Sequence, residues 1–181
     1  MNYFGITDPR EIDLLEDQAY VQTVTDVIHY ITRDQSITLS LILRIHESMF
    51  GRLYPWAGKY RTVNVSKGQF SWPPWVNIEP SMKEYAEKVL ESCTPAWQHP
   101  DEVFERAAMV MGDLLAIHPF REGNGRVANL LGNILFLQVN FPMLDLRKLK
   151  KADLIQAALS AYGKDYDPFI TLLQSSMPGV E

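Results

Sequence analysis

Apolar residues recur at helical spacing along most of the chain. The segment 103–117 has an apolar residue every three or four positions, which predicts a buried helix that ends before Pro119. The segment 127–137 is apolar on nearly all sides, which is typical of a helix surrounded by others. The same spacing predicts further helices over 9–31, 38–50, 81–93, 151–162 and 168–173. The pattern therefore predicts an all-α bundle whose two most buried helices flank residues 118–126.

One stretch departs from the helical pattern. Residues 61–65 alternate and are rich in β-formers, residues 66–69 have turn composition, and residues 70–72 can return, which predicts a small β-hairpin within about 61–76. An isolated hairpin is only marginally stable, so this hairpin must pack against the helices. Its open edge could pair with an extended segment of a target protein. The alternative is that the aromatic and proline residues at 72–75 only pack a long loop.

Composition narrows the class of protein. A length of 181 residues, 46% of them hydrophobic and 22% charged, fits a single domain over 1–181. The net charge of −5 argues against a nucleic-acid partner, which requires a basic face. Cys93 is the only cysteine, so the chain cannot form an internal disulfide. No segment reads as a signal peptide or membrane helix, and we expect a cytoplasmic protein without a membrane partner.

The polar run between the two central helices carries the candidate chemistry. It reads His-Pro-Phe-Arg-Glu-Gly-Asn-Gly-Arg over residues 118–126. Gly123 and Gly125 allow a ligand to approach the backbone, and the first amides of the next helix favour an anion such as phosphate. Asn124 can add a donor or cap the helix, and Arg126 offers a cationic fork to further phosphate oxygens. The segment therefore predicts a phosphate-binding loop.

His118 and Glu122 supply the reactive groups of this prediction. His118 stands at the entrance of the loop, where it can act as general base for an attacking hydroxyl. Glu122 lies beside the expected anion, which suggests that Mg²⁺ sits between carboxylate and phosphate. The ordinary alternatives are a histidine that only caps a helix and a glycine pair that only makes a turn. A metal pair of His118 and Glu122 is disfavoured because Pro119 and Gly123 interrupt the helix that such spacing needs.

These residues carry a family resemblance. The segment 118–126 matches in full the Fic (Fic/Doc) family signature HPFx[D/E]GN[G/K]R, and residues 53–68 resemble the stretch that leads into the β-hairpin flap of that family. The likeness runs from about residue 37 to residue 173. It implies an all-helical Fic-type bundle with a small β-hairpin flap. It also implies transfer of AMP from ATP to a hydroxyl side chain of a target protein.

The resemblance assigns a role to each position. His118 would deprotonate a Ser, Thr or Tyr of the target, and Glu122 would hold Mg²⁺. The α-phosphate would lie in a hole formed by Gly123, Asn124 and Gly125, and Arg126 would hold the outer phosphates. Phe120 would anchor the loop from behind.

The flap contributes further candidates. Lys67 and Gln69 are expected to reach nucleotide or target. Val65, Gly68 and Phe70 are expected to contact the target segment.

Two departures from the family pattern leave alternatives open. Many members carry a second arginine where this chain has Asn129, which affects outer-phosphate binding. The inhibitory motif [S/T]xxxE[G/N] of the family has no match, so we hypothesise that any inhibitor is a separate, antitoxin-like protein or lies outside this chain. UMP transfer, phosphocholine transfer, phosphorylation and an inert nucleotide-binding domain remain alternatives to AMP transfer. The target protein stays open as well.

Overall fold

The computed structural model describes residues 2–30, 36–68, 70–93, 102–144 and 150–177. These residues form seven α-helices and one two-stranded antiparallel sheet. The helices are α1 (Pro9–Tyr30), α2 (Leu39–Phe50), α3 (Ile78–Tyr85), α4 (Val103–Ile117), α5 (Asn124–Gln138), α6 (Lys151–Tyr162) and α7 (Asp167–Ser175). The all-α prediction is confirmed, and no helix of the described residues is long and apolar enough to cross a membrane.

α4 and α5 form the centre of the bundle. α4 also packs against α6 and α7, whereas α1 packs against α2 and α5. Glycines permit close contacts between helices: a Cβ at Gly132 would lie 2.4 Å from the sulfur of Met111, and one at Gly112 would lie 2.6 Å from Cβ of Ala161. The tight α4–α5 pair fixes both ends of the motif loop, residues 118–126, which leads from α4 into the first turn of α5.

The predicted third helix is shorter and less regular than expected. α3 ends at Tyr85, and the chain continues as a π-helical segment, Ala86–Leu90, and a 3-10 turn, Glu91–Cys93. Apolar spacing predicts one face of such a segment but does not distinguish these hydrogen-bond patterns.

The hairpin exists, but the prediction of a strand over residues 61–65 is wrong. The strands are β1 (Ser66–Lys67) and β2 (Phe70–Ser71), with Ser66 opposite Ser71 and Lys67 opposite Phe70. Residues 61–65 instead follow an irregular path because the Arg61 side chain donates to the carbonyls of Val63 and Pro73, and the Asn64 side chain accepts from the Trp75 amide at 3.0 Å. Side-chain bonds thus replace the expected ladder.

Candidate active site

The motif loop begins where α4 ends in a left-handed residue. His118 has φ 54° and ψ 59°, and its amide donates to the Leu114 carbonyl at 2.9 Å. The Asn124 side chain then closes the loop, since its oxygen accepts from the Phe120 amide and its nitrogen donates to the Phe120 carbonyl, both at 2.9 Å. Phe120 is fully buried, as expected for an anchor. The Asn124 side chain therefore holds the loop, and only its backbone amide can face a ligand.

The two glycines of the loop have different environments. Gly123 has φ 82°, and a Cβ there would lie 2.3 Å from the Phe50 ring. A Cβ at Gly125 would meet nothing within 4 Å. The first bond of α5 runs from the Val127 amide to the Gly123 carbonyl at 3.0 Å. The amides of residues 124–126 have no acceptor among the described residues, so they can receive an anion.

His118 is positioned to accept a proton. Its Nδ1 lies 3.3 Å from the Leu115 carbonyl, so Nδ1 carries the hydrogen and Nε2 keeps its lone pair. The ring stacks on Trp72 at a centroid distance of 3.9 Å. Burial lowers the pKa of His118 to about 4. The hydrogen bond to the Leu115 carbonyl opposes this shift, and the positive charge of Arg61 lowers the pKa further. The imidazole is therefore neutral at pH 7, the protonation state that a general base requires.

The residues near the loop fit a shared metal site rather than a cage made by the protein. The Glu122 side chain is exposed, and one of its carboxylate oxygens accepts from the Gly123 amide at 3.2 Å. No group of three or more His, Cys, Asp or Glu among the described residues could hold a metal ion. A single exposed carboxylate beside an anion site fits Mg²⁺ bound jointly by one carboxylate and substrate phosphates.

Arg126 is held by α1. Its Nη2 donates to Glu16 Oε2 at 2.6 Å, and its guanidinium lies over the Phe50 ring, 4.6 Å from the centroid. The other Glu16 oxygen accepts from the Tyr54 hydroxyl at 2.6 Å. Burial and then this carboxylate raise the pKa of Tyr54. The expected outer-phosphate residue thus already has an anionic partner, which sequence reasoning missed because the two residues are 110 positions apart.

Asn129 has a structural role in place of an arginine. Its side-chain nitrogen donates to the Tyr20 hydroxyl at 3.0 Å, and its oxygen accepts from Asn133 at 3.1 Å. Asn133 in turn binds both backbone groups of Leu144. This position of α5 therefore ties α5 to α1 and to the segment after α5.

His46 supports the motif loop from α2. Its side chain is fully buried. Nδ1 accepts a hydrogen bond from the Gly58 amide at 2.9 Å, and Nε2 lies 3.1 Å from the Glu122 carbonyl oxygen. Its ring stacks on Phe120 at 3.8 Å. Burial lowers its pKa to about 4, so it stays neutral and Nε2 donates to Glu122. His46 and Glu122 are 76 positions apart, so no local sequence pattern indicates this bond.

The hairpin residues lie along one exposed edge. Gly68 makes the turn with φ 61°, and Lys67 and Phe70 face each other in the sheet. The Phe70 ring meets Trp72 edge-on at 5.0 Å, and Val65 accepts from the Trp72 amide at 3.2 Å. The hairpin is therefore joined to the ring that stacks on His118, while its predicted contacts with nucleotide and target stay predictions. Gln69 lies outside the described residues.

The chemical groups of the motif loop, rather than the size of a cavity, identify the candidate site. One groove of about 260 Å³ is lined by residues including Asp113, Ile117 and Lys164, and another of about 600 Å³ by residues including Tyr60 and Met82. Neither groove is lined by a residue of the motif loop. The loop offers instead a helix N-terminus with free amides, a neutral base, a carboxylate and a cation.

Known proteins share this arrangement of sequence and fold. A family model described as Fic/DOC family matches residues 36–136. The chain is 33% identical over 141 residues to the protein adenylyltransferase Fic of Nematostella vectensis, covering 77% of this chain and 32% of that protein. It is 25% identical over 177 residues to the protein adenylyltransferase VbhT of Bartonella schoenbuchensis, covering 97% of this chain and 36% of that protein. The chain thus spans about a third of the length of these two relatives.

Solved structures agree on the fold. The chain superposes on the BepC protein of Bartonella tribocorum, a VirB-translocated effector solved with bound AMPPNP, with a TM-score of 0.80 and 20% identity. The match covers 97% of this chain and 90% of that one. The Fic-type helical architecture expected from the sequence is confirmed.

Proposed function

The chain belongs to the Fic/DOC family, and we propose that it is a protein adenylyltransferase that transfers AMP from ATP to a Ser, Thr or Tyr hydroxyl of a target protein. The observation that carries the proposal is the neutral His118, whose Nε2 has no hydrogen-bond partner among the described residues, at the start of the loop that leads to the free amides of α5. A base beside an anion site is what phosphoryl-group transfer requires.

The transfer would proceed by displacement at the α-phosphorus. The target hydroxyl oxygen forms a bond to that phosphorus, and the bond to the bridging oxygen between the α- and β-phosphates breaks. Pyrophosphate leaves with the electron pair, and Nε2 of His118 takes the hydroxyl proton. The amides of residues 124–126 would stabilise the charge that develops on the α-phosphate oxygens.

Glu122 and Arg126 would serve the outer part of the nucleotide. Glu122 would hold Mg²⁺ together with the phosphates, and the ion would neutralise phosphate charge when bound. Arg126 would bind the β- and γ-phosphates with the guanidinium hydrogens that Glu16 does not use.

The partners follow from this activity. We infer a protein target that approaches along the hairpin edge, with Lys67 and Gln69 near the nucleotide and Val65, Gly68 and Phe70 against the target. We further infer that any inhibitor is a separate, antitoxin-like protein or lies outside this chain, and that the enzyme acts in the cytoplasm.

Transfer of label tests the proposal. The purified protein and its His118→Ala variant are incubated with Mg²⁺, a cell lysate, and ATP labelled at the α- or the γ-phosphate. We expect protein-bound α label that the variant does not produce. Transfer of the γ label alone would identify a kinase, and α label that survives in His118→Ala would remove the histidine from the mechanism.

The bond between Glu16 and Arg126 favours a second candidate, an inert interaction domain that does not bind ATP. A carboxylate that already occupies Arg126 reduces its availability to phosphate. Calorimetry with ATP, with and without Mg²⁺, separates the two candidates. Binding that Mg²⁺ strengthens supports the enzyme, whereas absence of binding supports the inert domain.

A further inference from the structure

Arg61 joins the hairpin to the motif loop. Its Nε donates to the His118 carbonyl at 2.7 Å, and its own backbone amide donates to the Pro119 carbonyl at 2.8 Å. Its Nη1 donates to the Val63 carbonyl at 2.8 Å and its Nη2 to the Pro73 carbonyl at 2.6 Å. One side chain therefore binds the motif loop and both ends of the segment that contains the hairpin.

Arg61 is buried without an ion pair in the described part of the chain, so its main contribution is to hold its hydrogen-bond partners in a fixed arrangement. The residue is 4% exposed and forms no ion pair with any described residue. A buried guanidinium is costly unless its nitrogens find acceptors, and here each of the three nitrogens donates to one carbonyl oxygen. The planar fork directs these bonds in fixed directions, which a flexible ammonium cannot reproduce.

The bond to His118 acts on a strained residue. A left-handed conformation in a residue other than glycine is strained and persists only where neighbouring contacts impose it. Arg61 fixes the carbonyl of His118, and Trp72 fixes the ring by stacking at 3.9 Å while its indole donates to the Leu115 carbonyl at 3.2 Å. Both contacts come from the segment that bears the hairpin.

We propose that Arg61 is a positioning residue that fixes the general base and the target-binding hairpin as one unit. This inference rests on the proposed function and deepens it. A target hydroxyl delivered by the hairpin would then meet Nε2 of His118 at a set distance and angle, whereas the phosphate site is held separately by His46 and Asn124. Loss of the fork should therefore impair transfer while ATP binding remains.

The test compares Arg61→Lys with Arg44→Lys, the same change at an exposed position of α2. We expect Arg61→Lys to lower the rate of α-label transfer to lysate proteins by about 100-fold, the scale of a misplaced catalytic group. Its affinity for ATP with Mg²⁺, measured by calorimetry, should stay within about threefold of the parent protein. Arg44→Lys should change neither quantity.

The outcomes separate the inference from the proposed function. If the parent protein neither binds ATP nor transfers label, the proposed function fails. If the parent transfers label and Arg61→Lys does so at a similar rate, the positioning role is refuted. Equal losses of ATP binding and transfer would also refute it, since they indicate a general structural effect.

Hydrogen exchange of the parent protein provides a measurement that does not depend on folding of the variant. If Arg61 joins the two segments, the hydrogen-bonded amides of Arg61 and Trp72 should open together with those of His118 and Phe120, with one common free energy. Independent opening of the hairpin segment and the motif loop would overturn the proposal even if Arg61→Lys cannot be purified.

Discussion

Alanine at the two glycines of the motif loop separates folding from ligand binding. Gly123 and Gly125 lie two positions apart, and both are expected in the phosphate hole. In the structure, a Cβ at Gly123 would overlap the Phe50 ring, whereas one at Gly125 would enter open space. We therefore expect Gly123→Ala to impair stability and Gly125→Ala to impair ATP binding without loss of stability.

The magnitudes follow from these environments. At Gly123, a left-handed backbone costs a non-glycine residue about 1–2 kcal/mol. Overpacking against Phe50 adds about 1–3 kcal/mol. The free energy of unfolding should thus fall by about 2–5 kcal/mol, which lowers the melting temperature of a chain of this length by about 4–20 °C. At Gly125, alanine favours the helix by about 0.5–1 kcal/mol, but its methyl group occupies the space the phosphate needs.

Thermal unfolding and calorimetric titration with ATP and Mg²⁺ measure the two effects. We expect Gly125→Ala to melt at or above the parent temperature and to bind ATP at least about 10-fold more weakly, a loss of 1.4 kcal/mol. If Gly125→Ala binds ATP like the parent, phosphate does not approach this backbone and the anion hole is wrong. If Gly123→Ala is as stable as the parent, the loop does not have the described conformation.

Three further predictions concern the groups that surround the loop. Asn124→Ala should lower the free energy of unfolding in urea by about 2–4 kcal/mol, because it leaves the buried amide and carbonyl of Phe120 without partners; a loss below about 0.5 kcal/mol would contradict this. Burial lowers the pKa of His46 to about 4 in the folded protein, against about 6.5 in the unfolded chain. Between these pH values the unfolded chain binds more protons, so the free energy of unfolding falls as the pH falls, by up to about 1.4 kcal/mol per pH unit. His46→Gln should show a smaller loss of stability from pH 6.5 to 4, measured in urea, and an unchanged slope would refute the role of this histidine. Glu16→Gln should bind ATP about 3- to 10-fold more tightly in calorimetry, because it removes the negative charge beside Arg126 and keeps a hydrogen bond; weaker binding would show that the carboxylate is needed to hold Arg126.

Local patterns predicted the fold well where one element determines its own structure. The spacing of apolar residues identified the two helices around the motif, and Pro119 correctly marked the end of the first. The strand prediction over residues 61–65 failed because alternation describes backbone propensity, whereas the bonds of the Arg61 side chain to the carbonyls of Val63, Pro73 and His118 decide the local path. Propensity contains no information on such acceptors.

The site shows the same division between local and distant information. His118, Glu122 and Arg126 were identified because they are adjacent in sequence and chemically distinctive. Glu16 and His46 lie 110 and 76 positions from the groups that they bind. Neither residue type is unusual on a helix, so only the packing of α1 and α2 against the loop reveals their role.

The contacts of the loop divide its residues into two groups with opposite mutational behaviour. Asn124 and Phe120 direct their side chains into the protein, where they fix the backbone, so their replacement should reduce stability before any effect on chemistry. Glu122 and Gly125 are exposed. The Glu122 side chain points away from the core, and a Cβ at Gly125 would contact nothing within 4 Å, so replacing either residue should affect ligand binding before stability. His118 belongs to both groups, because its backbone is held by Arg61 while Nε2 remains free. A His118→Ala variant that loses transfer thus identifies the base only if it melts like the parent protein and still binds ATP, and Arg61→Lys offers the converse test with the imidazole intact.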